Sequence, residues 1–336
     1  MLAILIINYR TAAATRACLD ALLPLAPADS RIFLLDNGSG ETEASTLAAY
    51  AGRHPEKVYF DPSEENLGFA AGMNRLLGRA LAEPGIRQVL LLNSDTLPTP
   101  GCVASMQAQI DPATRTDMVA ARLLNPQNDG VDSLGITLYR STLASNRKRV
   151  EEILLGPSGG CALFTRRLLE DLRASHGEWF DEDFFCYAED TDLVVRARWL
   201  GYRPAYAADA LVYHAGSLSS GGADNDFVLY HGIRNSLWWL VKDAPGGWLL
   251  RSLPWFILLH CGICLRHLRR GRVRVLWRLY RDALRGLPAM RKKRAVVRHS
   301  RRMPVGEFSN WVEPHFYERD YMRRAWRELW RDNAPP

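Results

Sequence analysis

Through the first hundred residues, short and wholly apolar runs alternate with segments whose apolar residues recur at helical spacing. Leu2 to Ile7 is the first run; it ends at Asn8-Tyr9-Arg10, and Thr15 to Leu25 follows with Ala17, Leu19, Leu22 and Leu23 in a helical pattern. Ile32 to Leu35 stops at Asp36-Asn37-Gly38-Ser39-Gly40, and a second helical segment runs to about Ala51. Val58-Tyr59-Phe60 precedes a helix predicted over about Gly68 to Leu81, and Val89 to Leu92 ends abruptly at Asn93-Ser94-Asp95. Strands apolar on both faces, alternating with helices, predict an α/β fold with a mainly parallel sheet covered on both sides. Ligands of such sheets bind beyond the carboxyl ends of the strands. Asn8, Tyr9, Asp36, Asn93 and Asp95 should therefore meet in one crevice.

From Met118 to Gly216 the pattern is less regular. Short apolar runs stand at Val119-Ala120-Ala121 and Cys161 to Phe164, beside a Gly159-Gly160 turn, and a clear helix begins near Glu189. The expected organisation is an α/β body over 1–244, in halves 1–117 and 118–244, then a helical extension over 245–336. The longest nearly unbroken apolar run, Leu253 to Leu265, contains His260 and falls short of the ~20 residues that a spanning helix needs. No transmembrane protein is expected.

Charge sharpens the division. Of 43 Lys and Arg, 15 lie between Arg266 and Arg302 against the single acid Asp282, a local net of +14; the remaining 28 basic and 36 acidic residues give −8. An acidic body thus carries a basic tail that needs an anionic partner. Six cysteines without a dense framework, and no signal-peptide zones near Met1, point to a reducing cytoplasm.

Several groups carry candidate chemistry. Asp36 ends a strand within a turn and offers hydrogen-bond acceptors to a nucleobase or ribose. Glu65 to Asn74, with Asn66 and Gly68, reads as a loop entering a helix whose free N–H groups favour an anion. Asn93 and Asp95, flanking Ser94, are oxygen donors on one side of the chain; Mg²⁺ or Mn²⁺ needs few protein oxygens when a diphosphate supplies the others. Glu189 and Asp190 open a helix near Tyr187 and Trp179, which suits either a cap or a general base. His214 follows a short apolar run.

The order of these pieces resembles the family 2 glycosyltransferases and, within them, the bacterial rhamnosyltransferase-like branch. The matching residues are Ile6-Ile7-Asn8-Tyr9, Leu35 to Ser39, Asn66 to Asn74, Leu91 to Asp95, Gly159 to Phe164, and Tyr187 to Leu193, within about Leu2 to Pro245. The resemblance implies a GT-A fold, Rossmann-like, and an inverting transfer from a nucleotide-sugar donor. It also implies nucleoside contact by Asp36, a metal site at Asp95 with His214 nearby, and Asp190 as the base. Asn8, Tyr9, Asn66, Gly68, Asn74, Asn93 and Ser94 would line the donor side, with Glu189, Gly160 and Trp179 as acceptor or supporting residues. One departure is Asn93, where the family's Asp-x-Asp motif has an acid: the amide supplies an oxygen without charge. The implied donor is dTDP-rhamnose and the implied acceptor a growing cell-surface glycan, which membrane binding by the tail would make lipid-linked. Arg198-Trp199 lacks the glutamine of the processive synthases' Gln-x-x-Arg-Trp motif. A non-catalytic membrane adaptor on the same fold is the alternative; Asn93 favours it, and Asp190 and Asp95 oppose it.

In the tail, Val273, Leu276, Trp277, Tyr280, Leu284 and Leu287 recur at helical spacing, while Arg274, Arg278, Arg281 and Arg285 occupy another face. Trp248, Trp255 and Phe256 are candidates for a lipid headgroup region. The expectation is peripheral binding to anionic lipid on the inner face of the cell membrane, lost on truncation after about Ala244. The competing expectation is a helical subdomain packed on the body. No nucleic-acid reading module accompanies the charge. His260, Cys261, Cys264 and His267 formally offer zinc ligands, although Cys261 in an apolar run suits a core.

Overall fold

The computed structural model describes residues 1–127, 130–216 and 225–319. The first half alternates as expected: β1 (Leu2–Asn8), α1 (Ala12–Leu22), β2 (Ser30–Asn37), α2 (Glu41–Ala51), β3 (Val58–Ser63), α3 (Gly68–Leu81) and β4 (Gln88–Leu92). There follow β5 (Thr96–Pro98), α4 (Cys102–Gln107), β6 (Thr116–Leu124), β7 (Val131–Ser133), β8 (Ile136–Tyr139), β9 (Ala144–Asn146), β10 (Cys161–Thr165), α5 (Arg166–His176), α6 (Glu189–Trp199) and β11 (Arg203–His214). The described residues close with α7 (Asp226–Asp243), α8 (Gly246–Arg269), α9 (Val273–Ser300) and β12 (Val312–Glu313).

The main sheet runs β3-β2-β1-β4-β10-β6-β11-β5, with β7 on β6. β1 is parallel to β2 and β4, and β11 to β6; β10, β5 and β7 are antiparallel to their neighbours. The period of two along β1 decides which helix goes where. Ile4 and Ile6 join Cys18, Leu19, Leu47 and Met106 on the face covered by α1, α2 and α4. Ala3 and Leu5 face the other way, towards Met73, Leu76, Leu168 and Leu193.

The second half is more regular than its sequence suggests. β11 is a twelve-residue strand, but its register with β6 shifts between Tyr206 and Leu211, which breaks the alternation that would have announced it. α9 continues beyond Leu287 and through Pro288. An interior proline costs a helix about 3 kcal/mol. Packing compensates: Met290 and Val297 are buried beyond it, and Gly286 lets α9 lie against the ring of Trp238 on α7. α8 is a 24-residue helix, long and apolar enough by length and composition to cross a membrane, because its helical ends extend the short apolar run at both sides.

Residues beyond 244 share the body's hydrophobic core. Trp248, Met290, Val297, Phe308 and Trp311 belong to the cluster that contains Leu193, Trp199 and Trp239. Trp248 is thereby enclosed rather than offered to lipid. β12 pairs with β8 in a three-stranded sheet, β12-β8-β9. His260 bonds the Tyr280 hydroxyl at 2.9 Å, and Cys264 approaches the same oxygen. Among the described residues no three His, Cys, Asp or Glu side chains form a metal-holding group, so the zinc arrangement does not assemble.

Candidate active site

A cleft of about 940 Å³ opens at the carboxyl ends of the strands. Its walls include Tyr9, Asn66, Gly68, Asn93, Ser94, Asp95, Gly160, Glu189, Asp190 and His214. Of the five strand-end residues expected to meet there, Tyr9, Asn93 and Asp95 line it.

Asn93 and Asp95 follow β4, while His214 ends β11, which runs antiparallel to β5 so that His214 stands opposite Thr96. This register brings the imidazole to its partners. Its Nε2 lies 3.2 Å from Asp95 Oδ1 and 3.3 Å from Asn93 Nδ2, and its Nδ1 lies 2.7 Å from Asp132 Oδ2. Burial opposes a charge on the ring, but the bonds to Asp132 and Asp95 prevail and raise its pKa to about 9. Asp132 thus orients the ring from behind, while Nε2 faces one Asp95 carboxylate oxygen and the side-chain amide of Asn93. With the imidazole proton displaced and the Asn93 amide turned to present its oxygen, Asp95, His214 and Asn93 would supply a few ligands to a divalent metal whose others come from a diphosphate.

Asp190 stands across the Gly159-Gly160 turn. Its Oδ2 accepts from Gly159 N–H at 3.0 Å and its Oδ1 from Thr191 N–H at 2.7 Å. Burial raises its pKa above the ordinary carboxylate range, against the lowering effect of these bonds. The turn links the two groups: a Cβ at Gly160 would lie 3.8 Å from His214 and 3.9 Å from Asn93, and one at Gly159 would lie 3.7 Å from Asp190 Oδ2. Glu189 is buried with Oε2 unpartnered, and burial followed by the neighbouring Asp190 charge raises its pKa strongly.

Sequence comparison matches residues 3–173, just over half of the chain, to the family described as Glycosyl transferase family 2. The chain belongs to that family. No curated relative matches the transferase. Among solved structures, it is similar to the mannosyltransferase PcManGT from Pyrobaculum calidifontis in complex with GDP-Man and Mn²⁺ (17% identity, TM-score 0.54, covering 89% of this chain and 85% of that one). It is likewise similar to S. aureus TarS 1-349 in complex with UDP-GlcNAc (16%, 0.56, 92% and 91%). At these identities the likeness establishes the fold, which is GT-A.

Four predicted site residues of this family 2 transferase do not line the cleft. Asn8 and Asp36 are fully enclosed: Asn8 Nδ2 donates to Asp36 Oδ1 at 2.7 Å, and Asn8 Oδ1 accepts from Thr15 at 2.6 Å. They tie the ends of β1 and β2 together beneath the surface. Asn74 is consumed in holding the backbone N–H and carbonyl of Phe180, and Trp179 Nε1 donates to Leu169 O. Both are fasteners between elements.

Three residues that sequence reasoning missed also shape the site. Asn37 lines the cleft and bonds Asn66 Oδ1, Gly68 O and Leu67 N–H, fixing the entry to α3. Its position in the Asp-Asn-Gly-Ser turn was a visible signal. Asp132 lies in an irregular stretch and carried none. Asn235, inside an amphipathic helix, looks like an ordinary polar position. Yet it is fully buried, and its Nδ2 lies 2.9, 2.7 and 2.7 Å from the carbonyl oxygens of Phe184, Cys186 and Tyr187. That loop is strained. Phe185, Tyr187 and Ala188 have φ of 66°, 67° and 65°, a region costing a non-glycine residue on the order of 1–3 kcal/mol.

Proposed function

We propose that the transferase moves a sugar from a nucleoside-diphosphate donor to a hydroxyl of a lipid-linked glycan with inversion, and that Asp190 is the general base. The observation carrying this is the placement of Asp190 beside the Gly159-Gly160 turn, opposite the Asn93, Asp95 and His214 group. The acceptor oxygen attacks the anomeric carbon from the face opposite the diphosphate. Its proton passes to Asp190, the new C–O bond forms, and the old one breaks with its electron pair leaving on the diphosphate. Asp95, His214 and Asn93 would hold a divalent cation, Mg²⁺ or Mn²⁺, which supplies charge stabilisation to the leaving group. Solved relatives carry nucleotide sugars, and one carries Mn²⁺, which supports this reading. The sugar is rhamnose from dTDP-rhamnose on the strength of the motif resemblance.

The acceptor is reached at the cytoplasmic face of an anionic membrane. Leu250, Leu253, Ile257, Leu258, Trp277 and Leu284 are exposed on α8 and α9, beside the arginines of α9, while Leu259 and Ile263 of α8 line the cleft. Apolar and cationic groups together suit the headgroup boundary of an anionic bilayer.

The test is nucleoside diphosphate release from dTDP-, UDP- and GDP-sugars, with Mg²⁺ or Mn²⁺ and a crude lipid-linked acceptor. Turnover confined to one donor class and abolished in Asp190→Asn is expected. Donor binding without turnover would replace the enzyme with a non-catalytic adaptor.

A further inference from the structure

The element that carries Asp190 is held from the side facing the C-terminal helices. Asn235 of α7 reaches the carbonyls of Phe184, Cys186 and Tyr187, and its own Oδ1 accepts from Arg234 Nε at 2.9 Å. Arg234 in turn donates to Phe184 O at 3.1 Å, with its guanidinium 4.2 Å from the centre of the Trp238 ring. The loop between has a second fixed end. Phe185 O accepts from Ala70 N–H of α3 at 3.0 Å, and Gly68 is so close that a Cβ there would lie 2.5 Å from Phe185. Three left-handed non-glycine residues in four positions cannot hold themselves; something must over-determine them. Ala188, the last of them, is the N-cap residue of α6, so its conformation sets the direction from which Asp190 enters the cleft.

We infer that Asn235 is a positioning residue for the general base: its amide clamps the strained Phe185–Ala188 backbone and thereby fixes where the Asp190 carboxylate meets the acceptor hydroxyl. This rests on the transferase reading with Asp190 as base. The clamp bonds the loop that leads to the base, whereas Asn93, Asp95 and His214 of the donor cradle come from β4 and β11, and the loop meets the donor side at Gly68 and Ala70.

The substitution Asn235→Leu keeps side-chain bulk and removes the donor. Its kcat is expected to fall by about a hundredfold, the scale of a displacement of roughly 1 Å in a catalytic group, while the KM for the nucleotide sugar stays within twofold. Ala188→Gly relieves the left-handed strain at the N-cap. Placed in the Asn235→Leu background, it should restore part of kcat, which a general loss of packing would not permit. Thermal unfolding monitored by circular dichroism accompanies each variant. Retention of kcat within twofold in folded Asn235→Leu overturns the inference, and so does a parallel loss of donor affinity. Failure of both the single and the double variant to fold assigns Asn235 to stability and overturns it as well. Absence of donor turnover in the wild-type protein would instead remove the transferase reading, a result visible before any variant is made.

Discussion

As the proposed base, Asp190 would need its negative charge to accept a proton, yet its surroundings disfavour that charge. Because the folded pKa is raised, activity should decline on acidification at a pH above the ordinary carboxylate range; a pH profile of kcat/KM checks this, and a plateau extending down to pH 4 would contradict it. Asp190→Asn should lower kcat by about 10²–10⁴-fold, the usual contribution of a general base, with donor binding retained in a direct titration. At the other side of the cleft Asp132 fixes the ring of His214. Asp132→Asn should weaken Mn²⁺ binding by about 10–100-fold, read by calorimetric or paramagnetic titration; unchanged affinity would leave Asp132 without an orienting role. Residues of this kind were unequally legible. Asn93, Asp95 and Asp190 sit where strands end or a helix starts, so local pattern exposes them. Asp132 acts through His214 from 82 positions away, and no local pattern encodes that.

At the scale of elements, the alternation of strand and helix in the first half could be read directly because each strand is apolar on both faces and each helix shows its stripe. β11 could not, since a register shift scrambles its period, and α9 crosses a proline that local rules treat as a stop. Both are cases where packing overrides propensity. The same packing gives a prediction for the α7 and α9 pair. A Cβ at Gly286 would lie 2.5 Å from the indole of Trp238, whose Nε1 donates to Ala283 O at 3.0 Å. Gly286→Ala should therefore destabilise by about 1–3 kcal/mol despite its better helix propensity. Urea unfolding is the measurement, and an unchanged midpoint would mean that the helices can separate at no cost.

Across the whole molecule, a buried ionic group joins the body to the C-terminal helices. Asp192 on α6 lies 2.6 Å from Arg196 and 2.7 Å from Lys242 of α7, which also meets Asp181 at 2.7 Å; Lys293 of α9 pairs with Asp181 and Asp183. Burial alone would raise the Asp192 pKa, but Arg196 and Lys242 hold it well below the carboxylate range. A depressed folded pKa stabilises fully above the unfolded value of ~3.9 and is lost as pH falls through the folded one, so the group should contribute to acid unfolding below about pH 4. Lys242→Met should cost about 3–5 kcal/mol by removing from a buried cluster the cation that Asp181 and Asp192 share; a neutral result by chemical denaturation would show that Arg196 and Lys293 suffice for them. Since Trp248, Val297 and Trp311 are core residues, cutting the chain after Ala244 would unfold it. Surface changes such as Trp277→Asp with Leu284→Asp are the cleaner test of membrane binding. Loss of co-sedimentation with phosphatidylglycerol vesicles is expected, and undiminished binding would count against the membrane reading.

The pairing of Val312 with Leu138 has a consequence for biosynthesis. The block β3-β2-β1-β4 can form as it leaves the ribosome, because all four strands lie within the first 92 residues. The rest cannot: the small sheet waits for Val312 and Glu313, and the wall around Trp199 for Phe308 and Trp311. During that interval a nascent chain exposes the underside of α6, and long-range closure of this kind is slow. Protection of Leu193 to Trp199 from hydrogen exchange should therefore appear late, only after Trp311 has been made.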